Sequence, residues 1–264
     1  MSKRYNFFGS TASLVNDYSL QLDGVNERAT FGTTASHKFL HGAIAPATFQ
    51  WTIAFWLKFD ILPSSVNAEY GILSTGSGST AGVGIDIFYS DAFGGNRSIM
   101  LLIANASGSI AGSVQFTNAT TIVPDDLNWH QYILAYDIAP ATSNLTLYVD
   151  GVLYGDSNKN AQPPSAANSS NVPTLGALGG GIIPFKGKMF YPVVLTTKLT
   201  ALQALELFNL QRGSVLTTTF SASNLNAYYF PNGQADFPTW TDLIGNNNAT
   251  MINGEAVDIN IDVP

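Results

Sequence analysis

Between Trp129 and Gly155 the chain reads WHQYILAYDIAPATSNLTLYVDGVLYG, and no other stretch constrains the fold as strongly. Strand-forming residues dominate from Tyr132 to Tyr136. From Leu145 to Val149 apolar and polar side chains alternate, the period-2 pattern of a half-buried strand. Asp150-Gly151 then supplies the positive-φ pair that a two-residue hairpin needs, and Val152-Leu153-Tyr154 returns. Neighbouring strands joined this closely predict antiparallel pairing.

The rest of the chain follows the same rhythm. Short strands are expected near 18–23, 27–31, 51–60, 69–74, 83–89, 98–104, 112–117, 129–137, 144–150, 152–155, 173–178 and 185–195. Gly and Ser punctuate them, which points to a sandwich and away from strand–helix alternation. Long loops fall at about 33–49, 61–68 and 156–172. One helix is predicted, with Thr200-x-x-Gln203 as a capping box, Leu202, Leu205, Phe208 and Leu210 on an apolar face, and Gly213 as its stop. Trp51, Trp56, Trp129 and Leu147 are expected in the core.

These blocks together resemble the laminin-G-like, concanavalin A-like jelly rolls. In that family a Trp-His strand is followed by a strand ending in a YVDG hairpin, as at Trp129-His130 and Tyr148–Gly151. Tyr18–Gly24 is similar to the first core strand with its Asp-Gly turn, and Trp51–Phe59 to the long aromatic strand. Leu175–Gly179 with Phe185–Phe190 resembles the glycine run and return strand. Leu199–Phe208 resembles the short helix that follows. The resemblance runs in family order over residues 17 to 212. It implies an all-β antiparallel sandwich with one short helix. Residues 1–16 read as an N-terminal arm and 17–264 as one jelly-roll domain. Segment 214–264, with Tyr228–Phe230 pairing to the sheet of Tyr18–Leu22, would complete the sandwich or contact neighbours. A fold of this kind hosts lectins, glycosidases, adhesion modules and viral structural proteins, so it does not fix function.

Composition narrows the choice. Charged residues make up 11% of the chain and the net charge is -7, with the cations scattered. Nucleic acid and anionic membranes are therefore not expected partners, because phosphate recognition needs clustered Lys and Arg. No apolar run approaches the roughly 20 residues that span a bilayer. There is no cysteine, so stability is expected from the core alone. The opening MSKRYNFFGS has two cations but no apolar segment behind them, and is not read as a signal peptide. A lectin-like sandwich made in a cytosol without cysteine suits a bacteriophage particle protein. Adjacent Phe7 and Phe8 in an extended arm point to opposite sides, which leads us to expect a multimer or attachment to a host shell.

Catalytic patterns are weak. Glycosidases on this sandwich present paired carboxylates from one strand, but Glu27, Glu69, Glu206 and Glu255 lie far apart in sequence, and Asp86 and Asp91 are separated by an odd step. His37 and His41 read as a surface pair, and His130 as structural. The resemblance implies calcium held by loops at one sandwich end, with Asp23, Asn26 and Asp242 as candidate ligands and Glu27 and Asn246 nearby. The same Asp-Gly-x-Asn is also a good turn with no ion. Trp240, Tyr89, Phe93 and Tyr70 are possible sugar platforms. Asn-x-Ser/Thr sequons reflect composition. The reading is a non-enzymatic virion-surface structural protein. The alternatives are a carbohydrate-binding lectin or adhesin and, third, a polysaccharide-degrading enzyme.

Overall fold

The computed structural model describes residues 18–41, 49–65, 69–77, 82–91, 97–104, 110–115, 123–139, 144–157, 167–210, 225–228, 237–240, 242 and 247–264. The expected N-terminal arm with Phe7 and Phe8, and with them Phe93, Gly213, Phe230 and Asn246, lie outside these residues. The strands are β1 (Ser19–Asp23), β2 (Arg28–Phe31), β3 (Gln50–Phe59), β4 (Glu69–Ser74), β5 (Gly84–Ser90), β6 (Ser98–Ala104), β7 (Ile110–Gln115) and β8 (His130–Asp137). They continue with β9 (Leu145–Val149), β10 (Val152–Ser157), β11 (Thr174–Leu175), β12 (Lys186–Leu195), β13 (Leu225–Tyr228), β14 (Thr239–Trp240), β15 (Ala249–Ile252) and β16 (Ile259–Asn260). One helix, α1 (Ala201–Leu210), follows β12.

Two antiparallel sheets form a jelly-roll sandwich. The first runs β10-β9-β8-β3-β12-β1-β16, with β13 also paired to β12. The second runs β14-β15-β2-β11-β4-β5-β6-β7. Alternation along β3 sends Trp51, Ile53, Phe55, Leu57 and Phe59 into the main core. They meet Ile85, Ile87 and Tyr89 of β5 and Ile99, Leu101 and Ile103 of β6 there. Ala54 and Trp56 face the other way, into a smaller core closed by Leu199, Ala204 and Leu207 at the helix. Trp56 stacks on Phe208 of α1 at 5.4 Å. The helix starts where its capping box places it: Gln203 Oε1 accepts the Thr200 amide at 3.0 Å, and Thr200 Oγ1 accepts the Gln203 amide at 3.3 Å.

The Asp150-Gly151 turn takes the two positive φ angles its sequence implies, 51° and 74°. Gly151 is also required by the helix, since a Cβ there would come within 3.0 Å of Phe208. Trp129 departs from expectation. It is half-buried on the outer side of the first sheet, with its ring edge-on to Phe190 at 6.2 Å. Position 129 lies one step before β8, and alternation puts it on the face opposite Tyr132 and Leu134. The tail segment β13 joins the sheet that contains β1, but its partner is β12, with Val193 opposite Tyr228. Arm β16 closes the sheet edge beside β1.

Leu147 is fully buried in the main core. Leu147→Ala should lower the unfolding free energy by about 2–5 kcal/mol, through lost burial and the residual cavity. Urea titration followed by Trp fluorescence measures this, and unchanged stability would show that β9 is out of register.

Candidate functional site at the β8–β10 corner

The expected calcium ligands do not converge. Asp23 ends β1 just before β2 begins at Arg28, whereas Asp242 lies beyond the Phe31 end of β2. The ladder fixes this, because Arg28 pairs with Ile252 and Phe31 with Ala249, which in turn pairs with Trp240. Asp23 Oδ1 accepts the amides of Val25 at 2.7 Å and Asn26 at 3.3 Å, the turn that its sequence allows without an ion. Asn26 contributes its carbonyl, to Arg28 and Asn253. Asp242 is buried and accepts the Asn247 amide. One cation cannot be shared by these residues. Glu27 is also buried and accepts the Asp23 amide at 2.7 Å. Burial, with like charge from Asp258 and Asp23, outweighs that bond and lifts its carboxyl from 4.5 to about 7.

The histidines of the 33–49 loop are not a surface pair. The turn Lys38–His41 folds inward with Phe39, Leu40 and His41 buried. His37 is fully buried against Phe31, ring centroids 5.0 Å apart. Burial lowers its pKa to about 4, so it sits in the core as a neutral ring. The apolar Phe39 and Leu40 between the two histidines are the sequence signal for this. Of the proposed sugar platforms, Tyr89 and Trp240 are internal and Tyr70 is half-buried. Tyr89 is buried and donates its hydroxyl to the Pro63 carbonyl at 3.0 Å. Trp240 is buried, and Tyr70 stacks on Tyr89 at 5.9 Å.

His130 has a larger role than the sequence suggested. Its Nδ1 lies 2.7 Å from Asp150 Oδ2, and its Nε2 lies 3.0 Å from Asp126 Oδ1. Ionised carboxylates only accept, so an imidazolium ring, which donates from both nitrogens, satisfies both contacts. The hydrogen bond to Asp150 is the main cause that raises the His130 pKa. It outweighs partial burial, and Asp126 adds to it. Burial alone would raise Asp126, but the Asn128 amide and His130 hold it below its ordinary value. Asp150 also accepts the Gln131 amide at 2.9 Å, which ties the hairpin turn to β8. Next to this clamp, Asp125 accepts the Ser64 amide at 2.9 Å and pairs with Arg97 at 3.2 Å. The backbone bond from Ser64 is the chief reason its pKa is lowered.

Asp126 and Asp150 meet at His130, and Tyr154 lies on β10, the strand that leaves the Asp150-Gly151 turn. Tyr154 on edge strand β10 is 43% exposed, and Leu127 beside Asp126 is 44% exposed. The Asp126 side chain is itself 40% exposed, and the Asn128 side chain also hydrogen-bonds to it. The corner thus offers a part-exposed carboxylate beside exposed Leu127, with exposed Tyr154 on the neighbouring hairpin strand. In the sequence Tyr154 stands out only as part of the hairpin return. Three consecutive apolar residues on a short return strand were the available signal, since one of them must face outward.

The family model for the concanavalin A-like lectin/glucanases superfamily, of laminin-G type, matches residues 29–203. The chain belongs to the concanavalin A-like lectin/glucanase superfamily. Among solved structures this superfamily member is similar to a candidate carbohydrate-binding protein of Bacteroides ovatus ATCC 8483. The TM-score is 0.54 at 16% identity, covering 93% of this chain and 59% of that protein, so the chain spans under two thirds of its length. It is also similar to the heptameric SAP-like pentraxin of Limulus polyphemus, with TM-score 0.48 and 13% identity over 89% of this chain and 94% of that one. A third similar structure is the Ruminococcus gnavus IT-sialidase CBM40 bound to α2,3-sialyllactose, with TM-score 0.46 and 16% identity over 72% and 97% of the two chains. No curated protein matches the chain in sequence.

Both raised groups give stability the same pH sign. His130 has its folded pKa above the unfolded value, so its contribution is complete below about 6.5 and is lost as pH rises through the folded value. Glu27 contributes fully below 4.5 and loses its contribution as pH rises through about 7. Buried His37 and His41, whose pKa values are lowered, act in the opposite sense as pH rises toward about 6.5, so the melting temperature should fall only from about neutral to mildly alkaline pH. His130→Gln should flatten that fall, and Glu27→Gln should make the melting temperature rise more steeply with pH on the acid side of neutrality than in wild type. Parallel curves for wild type and His130→Gln would mean that the clamp is not charged.

Proposed function

We propose that the chain is a non-enzymatic carbohydrate-binding domain whose sugar contact is the β8–β10 corner. The observation that carries this reading is the part-exposed Asp126 carboxylate, held by His130 beside the hairpin that bears exposed Tyr154, on a sandwich of the lectin/glucanase superfamily. A sugar offers C–H faces to an aromatic ring and hydroxyl donors to a carboxylate. The clamp suits binding better than hydrolysis. A glycosidase needs one carboxyl kept protonated as general acid, whereas His130 and the turn amides favour the ionised form of Asp126.

A second reading, a structural component of a bacteriophage surface, is favoured by one separate feature. Val152, Leu153 and Tyr154 on edge strand β10 are exposed, as are Leu202 and Leu205 on α1. Gly151 brings the two elements together, since a Cβ there would lie 3.1 Å from the Leu205 Cα. Apolar surface along a sheet edge suits a neighbouring subunit in a shell.

Screening on a glycan array followed by titration tests the first reading. Tyr154→Ala and Asp126→Asn should each weaken binding by about tenfold, or about 1.4 kcal/mol, with the fold intact by circular dichroism. Binding unaffected by both would remove this corner from the reading. Sedimentation of Leu153→Asp and Leu202→Asp tests the second: a multimer in wild type should dissociate in both variants.

A further inference from the structure

On the outer face of the first sheet, Lys58 of β3 and Lys188 of β12 are direct cross-strand partners. Like charges placed this way repel, and a sheet tolerates them where an anion sits between. The chain supplies that anion from its last residues. Asp262 Oδ2 lies 2.7 Å from Lys58 Nζ and 2.5 Å from Lys188 Nζ, and Asp262 Oδ1 accepts the Trp129 indole N–H at 3.0 Å. Two ammonium groups and an indole N–H converge, all donors, and they hold both oxygens of one carboxylate.

The segment that delivers this carboxylate is the edge strand β16 and the residues after it, anchored by Ile259 in the main core. Strand β16 pairs with β1 over Ser19–Asn260 and Leu20–Ile259. Beyond it, Ser19 Oγ donates to the Asp262 carbonyl at 2.6 Å, and the Asp262 amide donates to Asn260 Oδ1 at 3.0 Å. Ile261 is exposed, and Val263 rests against the outer core. Asp262 is itself about one third exposed, so the donors lie close to solvent.

We propose that Lys58, Lys188 and Trp129 form a carboxylate-binding site for acidic ligands, of which a uronic acid sugar is the test case, and that Asp262 is its tethered competitor. This inference is independent of the Asp126 corner. A tethered group competes at an effective concentration of roughly millimolar or more, so an outside carboxylate binds well only when Asp262 is removed or lifted.

The Trp129 indole N–H resonance reports directly on the site and is assigned by its loss in Trp129→Phe. Sodium glucuronate is titrated into the full chain, with glucose as the neutral control. Wild type should respond weakly, and Asp262→Ala should give a saturable shift with an apparent affinity at least about tenfold tighter. Asp262→Ala combined with Lys188→Ala should lose that response, and glucose should produce none. Asp262→Asn, which keeps the side-chain shape, serves if the alanine variant unfolds. Three results would overturn the proposal: no saturable shift in a folded Asp262 variant, an equal response to glucose, or equal affinity in wild type and variant.

Discussion

Strand β3 is buried on both faces, and the architecture follows from that. A strand covered on one side can alternate apolar and polar residues, but one covered on both must be apolar almost throughout. The sequence Gln50–Phe59 meets this demand, with five side chains in the main core and Ala54 and Trp56 beneath α1. The helix is therefore more than a connector. It supplies the second cover, and the Asp150-Gly151 turn must stay free of a Cβ on Gly151 so that Phe208 can close over it.

Most of the fold was legible because its signals are local. The strand at Leu145–Val149, the Asp-Gly turn and the Thr200–Gln203 capping box each act within a few residues, and the structure has all three, although β9 is buried on both faces where its alternation predicted one. What escaped reading depends on contacts far apart in the chain. His37 and His41 read as a surface pair, although Phe39 and Leu40 between them are apolar, because the Ala167 backbone that meets His41 lies 126 residues further on. His41 Nε2 lies 2.9 Å from the Ala167 carbonyl. Trp129 was assigned to the core by residue type, whereas its place was set by the phase of β8 and by a carboxylate 133 residues away. Asp23 and Asp242 were joined by analogy, and the β2 ladder separates them by its own length.

The functional surfaces divide along the same line. Each charged group of the β8–β10 corner is held by a neighbour close in sequence or by a hairpin turn, so its parts were visible while their convergence was not. His130 links Asp126 and Asp150 across 24 residues of chain through one ring. The hydrogen bonds from His130 and the Asn128 amide favour the ionised form of Asp126, and the same ring ties the hairpin turn to the segment before β8.

The order of strands in the first sheet has a mechanical consequence. Ser19 and Asn260 are paired neighbours at the β1–β16 edge, while Tyr154 sits on β10 at the opposite edge. Six inter-strand steps of about 4.8 Å separate β10 from β16, a breadth of about 29 Å. Anything joined to the chain through either of those neighbours pulls at one margin of the sheet, with the contact corner at the other. Load would then pass sideways through the hydrogen bonds of the ladder, across seven strands. The central pairs β12–β3 and β3–β8, long and covered on both faces, are the ones best placed to bear it.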